Sequence, residues 1–140
     1  MPMNLQDTAL SVSVALPAAS GTAHTSAIDL TENVNQYVGI SNTADFLAQA
    51  EAIVTIPALT TTQLPDADTF TYTLEHSASS GSGYSTLASW TQTGAGGAGD
   101  AGSTKRFRFA ENVSRYTRLT IVSGSGTAAT AASGKLTLVF

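Results

Sequence analysis

Cysteine is absent from this chain and charge is scarce. Asp, Glu, Lys and Arg make up 11% of its 140 residues, against about 25% in an ordinary soluble domain. Without cysteine there are no disulfides, no thiolate metal ligands and no thiol nucleophile. Such staples are not needed, because a domain of this length buries roughly 70% of the surface that its unfolded chain exposes. Long apolar runs are missing too. The longest candidate, residues 50–59, contains Glu51 and is about half the length of a membrane-spanning helix, so no membrane partner is expected. Residues 1–7 hold no basic group and no continuous apolar stretch, which argues against a secretory signal and for a polar N-terminal tail.

Hydroxyl side chains take the place of charge. Threonine alone occupies 21 positions. Thr favours strands, and short hydroxyl groups cost less to desolvate than charges do. Two readings stay open: a Thr-rich β protein and nothing more, or a surface suited to packing against neighbours.

The few charges are segregated. Residues 1–104 contain nine acids (Asp7, Asp29, Glu32, Asp45, Glu51, Asp66, Asp68, Glu75 and Asp100) and no Lys or Arg, a sum of −9. Residues 105–140 contain all six basic residues against Glu111 alone, a sum of +5, which together give the net −4. Either opposite patches orient the subunit on a partner or on a copy of itself, or late strands lie beside early ones and the charges meet within the fold.

Alternation with period two marks half-buried strands. Residues 8–16 place Leu10, Val12, Val14 and Leu16 on one face, and Pro17 with the small residues after it ends the run. Residues 27–30 and 37–40 read as short strands, with Gly39 marking a bulge or close approach. Residues 43–50 are the one helical turn expected, with Thr43 as its N-cap. Residues 52–56, apolar on both faces, read as a central strand ending at Pro57, and 64–68 as a turn. Residues 69–76 alternate most cleanly: Phe70, Tyr72, Leu74 and His76 oppose Thr69, Thr71, Thr73 and Glu75. A weaker pattern covers 84–93. Five glycines in 94–102 predict a flexible Gly-rich loop over 94–103. Residues 104–110 set Arg106 and Arg108 against Lys105, Phe107 and Phe109; 116–122 turn Leu119 and Ile121 inward; and 135–140 align Leu136, Leu138 and Phe140. The chain is therefore read as one all-β domain over 1–140, an antiparallel β-sandwich of jelly-roll type with roughly eight strands and little or no helix.

No motif for chemistry survives its context. The run from Gly94 to Gly99 fits Gly-x-Gly-x-x-Gly, but that fingerprint works only between a strand and a helix N-terminus, and here a basic strand follows. His24 and His76 are the only histidines, too few for a zinc site without further ligands, and His76 reads as a packed or edge residue. Asp66 and Asp68 begin like a calcium loop but lack its glycine and closing glutamate. No Gly-x-Ser-x-Gly elbow occurs. Asn112-Val113-Ser114 fits a glycosylation acceptor, a short pattern with no export signal before it. The expectation is a protein that is not an enzyme, with no catalytic residue, metal, cofactor or small-molecule substrate.

The only basic-aromatic concentration is Lys105, Arg106 and Arg108, followed by Arg115, Tyr116 and Arg118. A nucleic-acid partner would call for a basic balance, and the pI is about 4.8, so none is expected. Arg and Tyr are enriched where proteins bind each other, which makes Arg106, Arg108, Arg115, Tyr116 and Arg118 candidate protein-interface residues. The competing reading pairs these arginines with acids on neighbouring strands.

Three stretches carry a family resemblance: Pro57-Ala58-Leu59 with Leu64-Pro65-Asp66-Ala67-Asp68 and the strand from Thr69 to Glu75; Arg115-Tyr116-Thr117-Arg118-Leu119; and the ending Leu136-Thr137-Leu138-Val139-Phe140. Together they resemble the capsid cement, or decoration, proteins of tailed bacteriophages, in particular the jelly-roll type found with Bordetella phages. The resemblance covers about residues 8–140 and implies a homodimeric structural protein of the virion. It would be made in the host cytoplasm and bind the capsid exterior across joints between major capsid protein subunits. It implies no catalytic residues. The alternative is a β-sandwich adhesion or carbohydrate-binding module of a phage tail or surface structure, for which Trp90 and four tyrosines would have to supply the sugar platform.

Overall fold

A computed structural model describes residues 10–30, 50–109, 113–124 and 129–139. The expected strand at 37–40, the helical turn at 43–50 except its last residue, the N-terminal tail, Asn112 and Phe140 lie outside the described residues. The elements within them are nine strands: β1 (Ser11–Ala15), β2 (Thr22–His24), β3 (Ile28–Asp29), β4 (Glu51–Ile56), β5 (Thr69–Ser77), β6 (Ser85–Thr93), β7 (Ser103–Arg108), β8 (Tyr116–Ser123) and β9 (Ser133–Val139).

They form two antiparallel sheets, β1-β9-β4-β7 and β2-β8-β5-β6, with β3 also paired to β8. The pairings β1–β9, β2–β8, β4–β7 and β5–β6 nest one inside the next. A chain folded double in this way and rolled so that alternate pairs fall in opposite sheets is a jelly roll, as the alternation and turn spacing led us to expect. The short strands β2 and β3 are two halves of one edge. Between them, buried Thr25 donates its backbone N–H to Leu119 O (2.9 Å), and its Oγ1 accepts the Leu119 N–H (3.0 Å). A side chain therefore completes the ladder where the strand breaks.

Burial follows the pleat. In β5 Phe70, Tyr72 and Leu74 are buried; across the sandwich Ala52, Val54 and Ile56 of β4 and Leu136 and Leu138 of β9 meet them, with Leu119 and Ile121 of β8 completing the layer. β4 is central in its sheet, as its apolar sequence predicts. β6 shows why its pattern is weak. Its register with β5 shifts between Leu74 and Glu75, which pair with Ala88 and Thr86 and leave Leu87 as the extra residue of a bulge. Its inward position nearest the loops is a polar residue, Gln92, which is buried.

Gln92 ties the sandwich together at this end. The Tyr72 hydroxyl donates to Gln92 Oε1 (2.8 Å), and Gln92 Nε2 donates to Pro57 O and to Asp100 Oδ2 (2.8 Å each). Asp100 Oδ2 also accepts the Gly102 N–H (2.8 Å). The glycine-rich stretch is thus anchored at its base: Leu59 and Asp100 exchange backbone hydrogen bonds, and Gly94 does the same with Ala67 and Asp68. Gly99 has φ +65° and a Cβ there would lie 2.2 Å from Leu59 O, so no other residue fits this crossing. The Gly-rich loop forms a hydrogen-bonded turn beside residues 57–68, and it runs into β7 with no helix after it.

Halfway across the core, Gly134 of β9 faces the opposite sheet. A Cβ at this position would stand 2.6 Å from Ile121 Cδ1 and 3.4 Å from Tyr72 Cε1. Gly134→Val should therefore overpack the core and lower stability by about 1–3 kcal/mol in urea unfolding. A second expectation concerns Tyr72. Burial first, and then the charge of Asp100, push its phenol well above the ordinary 10.0. Above that pH the unfolded chain ionises the phenol while the folded chain keeps it protonated, so this contribution is complete below pH 10 and is lost as pH rises further. Tyr72→Phe should cost about 1–3 kcal/mol at pH 7 by stranding Gln92 Oε1, and should flatten the alkaline fall in melting temperature.

Candidate interaction surfaces

The five candidate interface residues do not form one patch. In β7, Phe107 points into the sandwich, so exposed Arg106 and Arg108 stand on the outer face of the β1-β9-β4-β7 sheet. In β8, Thr117 and Leu119 are buried, which puts Tyr116 and Arg118 on the outer face of the other sheet. Arg115 lies just before β8, on the same side as Asp29 of β3. Outer faces of a two-layer sandwich look in opposite directions, so no single flat partner meets both groups.

On the β8 side the arginines are engaged within the chain. Arg118 Nε donates to Glu75 Oε2 (2.9 Å), whose oxygen also accepts from Thr120 Oγ1 (2.8 Å). The guanidinium lies 3.7 Å from the ring centroid of Tyr84, within cation–π range. Tyr84 in turn donates its hydroxyl to Ser80 O (2.9 Å). Its phenol is raised by partial burial, with Arg118 acting against that and Glu75 and Tyr116 adding to it. Arg115 grips Asp29 with both Nε (3.0 Å to Oδ1) and Nη2 (2.7 Å to Oδ2), and its guanidinium lies 5.0 Å from the Tyr116 ring centroid. Tyr84 belongs to this cluster, yet reasoning from sequence passed over it. The available signal was weak: a lone aromatic after a Ser/Gly run.

On the opposite face Arg106 Nη1 reaches Glu51 Oε2 at 3.2 Å, with the arginine side chain 62% exposed. Arg108 is the direct cross-strand neighbour of Glu51, but among the described residues no hydrogen bond or ion pair holds it. The same is true of Lys135, on β9, whose cross-strand neighbours are Ser13 and Thr55. Lys105 points inward at the edge strand, where a charge discourages further strand pairing.

The remaining candidates read as structural. His76 Nδ1 accepts the Ser114 N–H (2.9 Å) and fixes the entry to β8. Among the described residues no three His, Cys, Asp or Glu side chains gather as metal ligands would. Trp90 is directly opposite Tyr72 in the ladder and packs against the core, so its indole is not an open platform. Asp66 and Asp68 stand in the turn expected for them, with Asp68 N donating to Pro65 O (3.1 Å).

No protein-family description and no curated protein matches this chain. Among solved structures it is similar to "Crystal structure of PirA", at 10% identity over 96% of each chain with a TM-score of 0.45, a likeness too loose to speak to function.

The two faces should respond differently to truncation. Arg118→Ala removes a half-buried pair and a ring contact and should cost about 1–2 kcal/mol in urea unfolding. Arg106→Ala removes a solvent-screened pair and should stay within about 0.5 kcal/mol.

Proposed function

We propose that this protein is a structural component of a phage virion that binds the outer surface of the capsid as a homodimer and cements neighbouring major capsid protein subunits. One observation carries the reading. The segments that resemble capsid cement proteins form the middle of a jelly roll, namely β5 and β8 at the centre of one sheet and β9 beside β4 in the other. The family resemblance and the topology thus point the same way.

The physics of the surface supports it. Between their charges both outer faces carry many Ser and Thr, as in Ser13, Thr55 and Thr104 in the row of Lys135 and in the Thr71–Thr91 pair. These hydroxyl groups are desolvated at lower cost than charges. A shell presents many equivalent sites, and two linked copies gain avidity, so each contact can be modest. The competing glycan-binding reading is weakened by Trp90, whose ring is turned into the sandwich.

The test is co-sedimentation with capsids assembled without this protein, followed by heating. Saturation at a copy number set by icosahedral symmetry, with rupture moved to higher temperature, is the expected result. Wild-type protein that stays in the supernatant at every concentration sinks the proposal.

A further inference from the structure

The six basic residues of the chain are unequally available. Arg115 and Arg118 are held by Asp29 and Glu75 on the β8 side, and Lys105 points inward at the β7 edge. Among the described residues, the outer face of the β1-β9-β4-β7 sheet keeps the other three, Arg106, Arg108 and Lys135, against one acid, Glu51. Its described residues thus sum to +2, in a chain of net −4. Asp66, Asp68 and Asp100 gather in the loops at one end.

Edge protection explains charges on β7, since an unpaired edge is shielded by Lys and Arg. It does not explain Lys135, which lies on an interior strand two strands away. From the usual strand spacing and rise, Lys135 and the two arginines stand on the order of 12–16 Å apart. One small anion cannot touch all three, so the complementary object is an extended surface.

We propose that this sheet face is the docking face and that it meets a carboxylate-rich patch on the capsid protein, with Arg108 and Lys135 as the charged contacts. The inference rests on the cement reading and assigns it a face and a sign. A protein surface is favoured over nucleic acid because a polyanion would be repelled by the net charge of the whole domain. On approach, by contrast, a local acidic patch orients the domain, with its acidic end turned away.

The experiment compares three proteins in binding to capsids assembled without this component, at low and physiological salt. They are wild type, Arg108→Gln with Lys135→Gln, and a charge-matched control bearing Thr22→Glu and Thr91→Glu on the exposed outer face of the other sheet. All four positions are exposed, and thermal melts check that each variant folds. The expected result is a loss of about tenfold or more in affinity for the glutamine pair, little change for the control, and weakening of wild type by salt. Equal binding by the glutamine pair, or loss in the control instead, overturns the face assignment while the cement reading stands. Failure of wild type to bind overturns the cement reading itself. Tight, salt-sensitive binding of wild type to random-sequence duplex DNA, abolished by the glutamine pair, overturns the choice of a protein partner.

Discussion

A tyrosine that crosses the core sets the terms on which the two sheets meet. The Tyr72 ring lies beside the space above Gly134 of β9, which Ile121, its neighbour on β8, fills most closely. Its hydroxyl would be an orphan there, in a position where an unmet donor costs about 1–3 kcal/mol. Gln92, on the edge strand β6, accepts that hydrogen bond with its carbonyl and turns its amide nitrogen towards Pro57 and Asp100. The three bonds also assign the amide orientation, because only the nitrogen end can donate. The loop after β4 and the loop after β6 are joined through one side chain. Asp100, gripping the backbone of Gly102, passes the constraint to the start of β7. Each feature depends on its neighbours: a larger residue than glycine at 134 runs into Ile121, which is paired with Tyr72, and an apolar residue at 92 strands the hydroxyl.

The doubled-back chain also accounts for the placement of charge along the sequence. In a jelly roll the first half of the chain pairs with the second, so acids confined to early strands find bases confined to late ones. Glu51 meets Arg106, Asp29 meets Arg115 and Glu75 meets Arg118, each pair bridging strands far apart in sequence. Of the two readings left open by the sequence, the meeting of charges within the fold holds for these three arginines. Their energies are modest, since Arg106 and Arg115 are more than half exposed. Their value lies in register: slipping β5 by one residue against β8 would turn Glu75 away from Arg118 and carry Leu74 out of the core.

What could be read from the sequence tracks how regular each strand is. β5 alternates without interruption and its inward residues are large, so its span and its buried face were plain. β6 hides because the bulge at Leu87 changes the phase of alternation midway and because its innermost residue is the polar Gln92. β2 has three residues, Thr-Ala-His, with no apolar signature; it exists because β8 offers an edge and Thr25 completes the ladder. The glycine-rich stretch was legible as a loop by composition, but composition does not report the Asp100 and Leu59 hydrogen bonds at its base. The arginine cluster was visible as a run of basic residues. Its division between opposite faces depends on β7 and β8 belonging to different sheets, which is a fact of topology and not of spacing.

Once the ion pairs are accounted for, the remaining charge has a different physical role from the hydroxyl groups around it. Serine and threonine on a flat face can be covered by a partner at small cost, yet they specify little, since many orientations satisfy them equally well. A pair such as Arg108 and Lys135, separated across the sheet, distinguishes one rotation of the domain from another, because only one places both against carboxylates. On the proposed docking face, area would supply adhesion, and Arg108 and Lys135, which no acid holds among the described residues, would supply orientation. That division suits a domain bound in many symmetric copies, where each must sit the same way and no single contact has to be strong.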